Sequence, residues 1–247
     1  MRASAIEFRL RMLINAVIVV LGLWAPWIGT WGIGRRTSLL EWLALELSRA
    51  RLLSFTLATP LVIVIAALFA AVAMVLRVWG SAYLSPATVI NPQMLAQGVM
   101  ADGPYRYVRN PLYLGVWFMI GAMSFIMPVT GALVAMILLT VFLMRLILGE
   151  EVFLAGRLGE SYQAYLQAVP RIVPRLRTNL PASGSRPRWG LAVLSELTPI
   201  GIFFTLALLS WRYDIQLMLR AILVSFGLSL VVRAFVPGIR RETDPSE

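Results

Sequence analysis

The chain has 247 residues, 59% of them hydrophobic, with a mean hydropathy of +0.79 and 14% charged residues. Soluble domains are about half apolar and roughly a quarter charged, so the composition implies an all-α, polytopic membrane protein, and the lack of period-two alternation excludes a closed barrel. The net charge of +10 rests on 22 arginines with no lysine, while the absence of cysteine and histidine excludes thiol nucleophiles, disulfides, Cys/His zinc sites and a Ser-His-Asp triad.

Six apolar spans are predicted, and several stretches exceed 18 apolar residues, enough to cross roughly 30 Å of hydrocarbon. The first, 12–33, follows Arg2, Arg9 and Arg11 and lacks a small-x-small cleavage pattern, which predicts a retained anchor. The segment 34–51 carries four arginines against Glu41 and Glu46 and is expected to lie as a helix on the outer surface. The second span, 52–76, has no charge and is closed by Arg77. Spans three and four, 111–127 and 131–148, are joined by the turn MPVTG at 127–131. Spans five and six, 189–210 and 215–236, follow the connector PASGSRPR at 181–188. Small residues four apart, Ala66 and Ala70 on span two and Ala221, Ser225 and Ser229 on span six, mark faces where helices approach closely.

An N-terminus on the inside places sixteen of the 22 arginines in inner segments. That bias puts both termini in the cytoplasm. No basic domain stands apart from the spans, which argues against nucleic acid. The complete avoidance of lysine fits GC-rich coding, and the expected location is a bacterial inner membrane. Three parts are expected: 1–90 with spans one and two, a core at 91–180, and 181–247 with spans five and six.

The core holds the chemistry. A short outer turn forces the inner ends of spans three and four together. One end is GPYRYVRNPLYLG, 103–115; the other runs from Arg145 through the pair Glu150–Glu151 to LGESYQAYLQAVPRIVPRL. Asn110 is a natural N-cap before Pro111 at the first helical position, and the open amides of that helix can hold an anion. Tyr105, Tyr107 and Tyr113 offer aromatic walls and hydroxyls, while Arg106 and Arg109 can bind a carboxylate or phosphate. Glu150 and Glu151 can accept hydrogen bonds from a ribose diol or an ammonium. A ligand cationic at one end and anionic at the other matches both halves, although the same residues also suit plain interfacial caps and anchors.

The two-part motif over 95–176 resembles the isoprenylcysteine carboxyl methyltransferases and phospholipid methyltransferases. The resemblance implies an integral membrane methyltransferase that uses S-adenosyl-L-methionine and acts on a lipidic or membrane-borne carboxylate or amine. By position it implies cofactor contacts from Gln97, Gly98, Val99, Met100, Tyr105, Asn110, Pro111, Leu112 and Tyr113. Glu150 is the implied acidic ligand, with Glu151 the alternative, and Arg145 is the arginine nearest to the family's substrate position. Asn110 stands where the eukaryotic enzymes have histidine, so no imidazole is available as a base.

Two charges fall inside spans, Glu196 and Arg220. Intramembrane charges are functional candidates. Glu196 is expected to pair with Arg145 beside the acceptor, and Arg220 to snorkel outward. The stretch 157–188 is expected to form an interfacial helix and a solvated loop, or a lid on the cofactor. The rival functions are an NADPH-dependent sterol-type reductase and a non-enzymatic scaffold or transporter subunit.

Overall fold

The computed structural model describes residues 2–24, 37–84, 99–178, 180–181, 184–209, 212 and 214–235. Among them are helices α1 (Ala5–Arg9), α2 (Arg11–Leu23), α3 (Leu39–Arg49), α4 (Phe55–Tyr83), α5 (Pro111–Ser124), α6 (Val129–Leu158), α7 (Glu160–Ala168), α8 (Trp189–Ser195), α9 (Leu197–Leu209) and α10 (Ile215–Phe235). A 3-10 turn spans Gly103–Arg106. No strand is present among the described residues.

Two helices, α4 and α6, are long and apolar enough to cross a membrane, and α8 with α9 qualifies as one span bent by 69°. The chain is an integral membrane protein on this basis. The remaining expected spans appear as shorter apolar stretches: Arg11–Leu23, Pro111–Ser124 and Gln216–Val232. Span one was expected to continue to residue 33, which lies outside the described residues.

The span boundaries differ from expectation in two places. Arg77 does not close the second span, because α4 continues to Tyr83 with Arg77 well inside it. The fifth span breaks at Glu196, whose backbone leaves the helical region at φ −110°, ψ 30°. Pro199 lies four residues after Ser195 and cannot donate to its carbonyl, so an unbroken helix would lose that bond and meet a clash.

The helices run between two ends. At the turn end, Phe125–Pro128 links α5 to α6, and Ser38 bridges to Pro128. The amides of Leu39 and Leu40 donate to the carbonyls of Met127 and Phe125. Leu40 and Ala44 then pack with Ala58, Val62, Ala66 and Phe125, so the expected outer helix is sewn to the hairpin turn rather than lying free. The small-residue stripe of α10 behaves as expected: a Cβ on Gly201 of α9 would collide with Ser225. Arg220 is exposed.

At the other end, here called the site end, α1 docks on α6. Ser4 and Glu7 form a capping box, and Glu7 also grips Arg145 through Nε at 3.1 Å and Nη2 at 2.9 Å. The Ala3 amide adds a bond to the Arg145 carbonyl. Helix α2 crosses α6 where two glycines meet. A Cβ on Gly131 would run into the Gly22 carbonyl, and one on Gly22 would lie 2.6 Å from the Met127 sulfur. In a bilayer no hydrophobic force separates lipid from helix, so such close backbone approach carries the packing.

Two predictions follow from these contacts. Gly131→Ala should lower stability in detergent by about 1–3 kcal/mol, because backbone must move. Gly156→Ala, at a helix-interior glycine with nothing within 4 Å, should raise it by up to about 1 kcal/mol. Thermal unfolding of both variants checks the contrast. The second concerns pH. The Arg145 guanidinium and the Ser4 amide hold the Glu7 carboxyl down, from 4.5 to about 2. A depressed carboxylate stabilises the fold above the unfolded value and loses that contribution as pH falls through the folded one. The melting difference between wild type and Glu7→Gln should therefore be constant above pH 4.5 and vanish toward about 2.

Candidate functional site

The rim at 103–113 begins with a residue that has to be glycine. Gly103 adopts φ +53°, and a Cβ there would enter the Tyr83 ring. The 3-10 turn that follows is closed by Tyr107 N donating to Pro104 O at 3.0 Å. The backbone is then knitted to the far half of the motif. Arg109 N donates to Pro170 O at 2.9 Å, and Arg175 N to Tyr107 O at 3.0 Å. The guanidinium of Arg106 bonds to the Leu180 carbonyl.

Helix α6 brings the acidic half to this rim. Consecutive helical residues point about 100° apart, so the two glutamates take different partners. Glu150 accepts a 2.8 Å hydrogen bond from the Tyr113 hydroxyl. Glu151, 7% exposed, is held by Arg171 through three N–H···O contacts of 2.8–3.2 Å and faces Arg109 Nη1 at 3.5 Å. Asn110 Nδ2 reaches Glu151 Oε1 at 3.5 Å and the Arg171 carbonyl at 3.1 Å. The side-chain hydrogen bonding holds the Arg171 guanidinium above its ordinary pKa. Arg11 of α2 lies over the Phe8 ring at 4.2 Å, with Tyr113 and Glu150 within electrostatic reach.

Around this centre the aromatic residues are packed rather than open. Tyr105 is buried; its hydroxyl points at the Gly80 carbonyl at 3.5 Å, and its carbonyl accepts from Tyr165 at 2.8 Å. Tyr162, Tyr165 and Val169 form a cluster with Val99, Leu154 and Leu158. Burial pushes the hydroxyls of Tyr105, Tyr162 and Tyr165 above their ordinary range, and those of Tyr105 and Tyr165 donate to backbone carbonyls. The stretch after α6 is therefore not a solvated surface at these tyrosines, since they close over the rim. Tyr107 instead faces a cavity of about 220 Å³ with Trp79, Tyr83 and Asp102.

Several expected roles change. Asn110 precedes the helix but makes no cap bond, because its side-chain amide is turned to Glu151 and Arg171. The first-turn amides of α5 are left without a side-chain cap. The expected Arg145–Glu196 pair does not form. Arg145 is taken by Glu7, and Glu196 by Arg77, which donates from Nε at 2.9 Å and Nη2 at 2.7 Å, with the Ser81 hydroxyl as a third donor. Leu112 packs on Gly80, Pro111 is buried at the helix start, and Met100 is half-buried. Gln97 and Gly98 lie outside the described residues.

The residues overlooked are Arg77, Glu7 and Arg171. For Arg77 the signal existed: an arginine inside a membrane-length helix calls for a carboxylate, and Glu196 stood in another span. Nothing in the local pattern around Arg171 marks its partner.

Comparison with known proteins places the resemblance on this region. Residues 61–161 match the phospholipid methyltransferase family. That stretch contains most of α4, the 3-10 turn, α5 and α6. The chain is 39% identical over 70 residues to a methanethiol S-methyltransferase of Crocosphaera subtropica, covering 28% of this chain and 27% of that protein. It is 32% identical over 78 residues to a protein-S-isoprenylcysteine O-methyltransferase of Schizosaccharomyces pombe, covering 31% of this chain and 33% of that one. The chain thus aligns with about a third or less of the length of these curated relatives. No solved structure matches the chain.

Breaking the Glu151 cluster tests its weight. Removing the Glu151 carboxylate leaves the buried Arg109 guanidinium uncompensated, so Glu151→Ala should cost about 3–5 kcal/mol. Glu160→Ala, at an exposed site on α7, should stay within about 0.5 kcal/mol. Denaturation in detergent checks both.

Proposed function

We propose that this chain is an S-adenosyl-L-methionine-dependent methyltransferase acting on a lipidic or membrane-borne acceptor. The carrying observation is the direct contact of the tyrosine rim with the acidic pair, Tyr113 to Glu150 at 2.8 Å, inside the stretch that matches the family. The matched names speak of a phospholipid, a thiol and an isoprenylcysteine. Their acceptors differ and methyl transfer is common to them, which supports reading the shared stretch as the donor end.

The residues suit a zwitterionic cofactor. Glu150 is placed for an ammonium or a ribose diol, with Glu151 behind it. For a carboxylate there are the uncapped first-turn amides of α5 and the Nε of Arg109, a buried atom with no hydrogen-bond partner among the described residues. Tyr105, Asn110, Pro111, Leu112 and Tyr113 form the wall in this reading, and Val99 and Met100 contribute backbone. When bound, the cofactor supplies a methyl already activated on a sulfonium.

The protein then has to hold, orient and keep dry. The buried tyrosines and Val169 exclude water at the rim, and positioning supplies most of the acceleration. With no histidine in the chain, the acceptor brings its own nucleophile, a carboxylate or an amine. Arg145, 31% exposed, is the acceptor-side cation and holds Glu7 until an anionic acceptor competes. The donor enters from the cytoplasm, with both termini on that face of a bacterial inner membrane, and the acceptor arrives laterally through the bilayer.

Calorimetry of the detergent-purified protein should show binding of S-adenosyl-L-methionine and none of NADPH. A hydrogen bond to a charged group contributes about 1.5–3 kcal/mol, so Tyr113→Phe and Glu150→Gln should each weaken binding roughly 10- to 100-fold. Binding of NADPH alone, or wild-type affinity in both variants, would overturn the proposal.

A further inference from the structure

The buried pair Arg77–Glu196 lies outside the cluster just described, and its place in the packing gives it a task. Glu196 is 1% exposed and sits at the break between α8 and α9, beyond the family-matched stretch. Its carboxylate takes two bonds from Arg77 and one from Ser81. It thus grips both ends of a single turn of α4, residues 77–81.

The same turn also carries the rim, through the Arg77 stem and the neighbouring Gly80. The Arg77 stem lies on α5 at Gly115, where a Cβ would come within 2.8 Å of Cγ and 3.0 Å of Cδ. Gly80 receives Leu112 so closely that its own Cβ would lie 2.7 Å from Leu112 Cδ2. The Gly80 carbonyl faces the Tyr105 hydroxyl. One turn of α4 therefore touches Glu196 through Arg77 and Ser81, and Gly115, Leu112 and Tyr105 through the Arg77 stem and Gly80.

We infer that Glu196, acting through Arg77 and the 77–81 turn, is a positioning residue that sets the first two turns of α5 and Tyr105 for the methyl donor. The inference rests on the donor-site reading above. It removes Glu196 from contact with the reacting atoms and gives the C-terminal helices a role in donor affinity. A buried guanidinium held at two of its nitrogens has little freedom, so its stem is a fixed surface against which α5 seats.

A merely structural pair is distinguishable from a positioning one. Replacing a buried ion pair by apolar residues of similar volume is often neutral or stabilising for the fold. The double variant Arg77→Met/Glu196→Met should then melt near wild type, yet lose its fixed stem. Misplacement by about 1 Å can cost 100-fold in a well-oriented site, so donor affinity should fall roughly 10-fold or more. Gly115→Ala keeps both charges and adds a better helix former, but pushes on the same stem; it too should bind the donor less tightly, by more than any change in melting temperature accounts for.

The measurements are calorimetric titration with S-adenosyl-L-methionine and thermal unfolding, on the full chain in detergent. Weakened binding beyond what any change in melting temperature accounts for, in either variant, supports the inference. Wild-type affinity in both, or affinity that only tracks melting temperature, overturns it. No binding by the wild-type protein would instead sink the donor-site reading itself.

Discussion

The connection between α5 and α6 has four residues, Phe125–Pro128, and the far ends of the two helices meet as a consequence. Everything at the site end follows from that closure. It sets Tyr113 against Glu150 and Asn110 against Glu151. The turn is itself guarded, because α3 donates two amides into it and buries Leu40 and Ala44 beside Phe125. A looser turn would let the helices slide, and a slide of one residue along α6 would put Glu151 where Glu150 lies and Val152 where Glu151 lies.

Closure alone would bury charge at a cost, and the arrangement of partners answers it. Glu151 is nearly enclosed, yet its two oxygens face Arg171, Arg109 and Asn110. Arg109 and Asn110 come from the rim, and Arg171 from the segment after α7. One carboxylate thus gathers three stretches of chain. Glu150, one residue away, meets a neutral hydroxyl, with the Arg11 cation facing it from α2. The neighbours divide the work: Glu151 binds the protein to itself, and Glu150 keeps the more exchangeable partner. This division favours Glu150 over Glu151 as the residue that meets a ligand.

Much of this was readable in the residues. The hairpin, its turn, the rim motif and the acidic pair follow from apolar runs, from Pro128 and from the Asn110–Pro111 start. The small-residue faces of α4 and α10 follow from spacing alone. Pairing was less legible, because it depends on depth and rotation rather than on order. Arg145 finds Glu7, 138 residues away, since a capping box had already turned that carboxylate toward α6. Glu196 finds Arg77 because the break before Pro199 points it sideways, at a helix whose charge was taken for an end. Asn110 has the composition of a cap, but its NH₂ donates to the Glu151 carboxylate and the Arg171 carbonyl, and its acceptor oxygen makes no bond to the first-turn amides.

Among the described residues, three ion pairs cross the edge of the matched stretch. Arg77, Arg145 and Glu151 lie within 61–161, while their partners Glu196, Glu7 and Arg171 lie outside it. The region that matches the phospholipid methyltransferase family is thus fastened to the rest of the chain once by each flank and once by its own downstream loop. A membrane gives these flanks no hydrophobic reason to prefer one register over another, since lipid is as apolar as leucine. Charge pairing does give one: a guanidinium displaced from its carboxylate in a low dielectric is far more costly than a leucine displaced from a valine. The flanking helices can therefore vary in apolar sequence while holding the hairpin mouth at a fixed geometry.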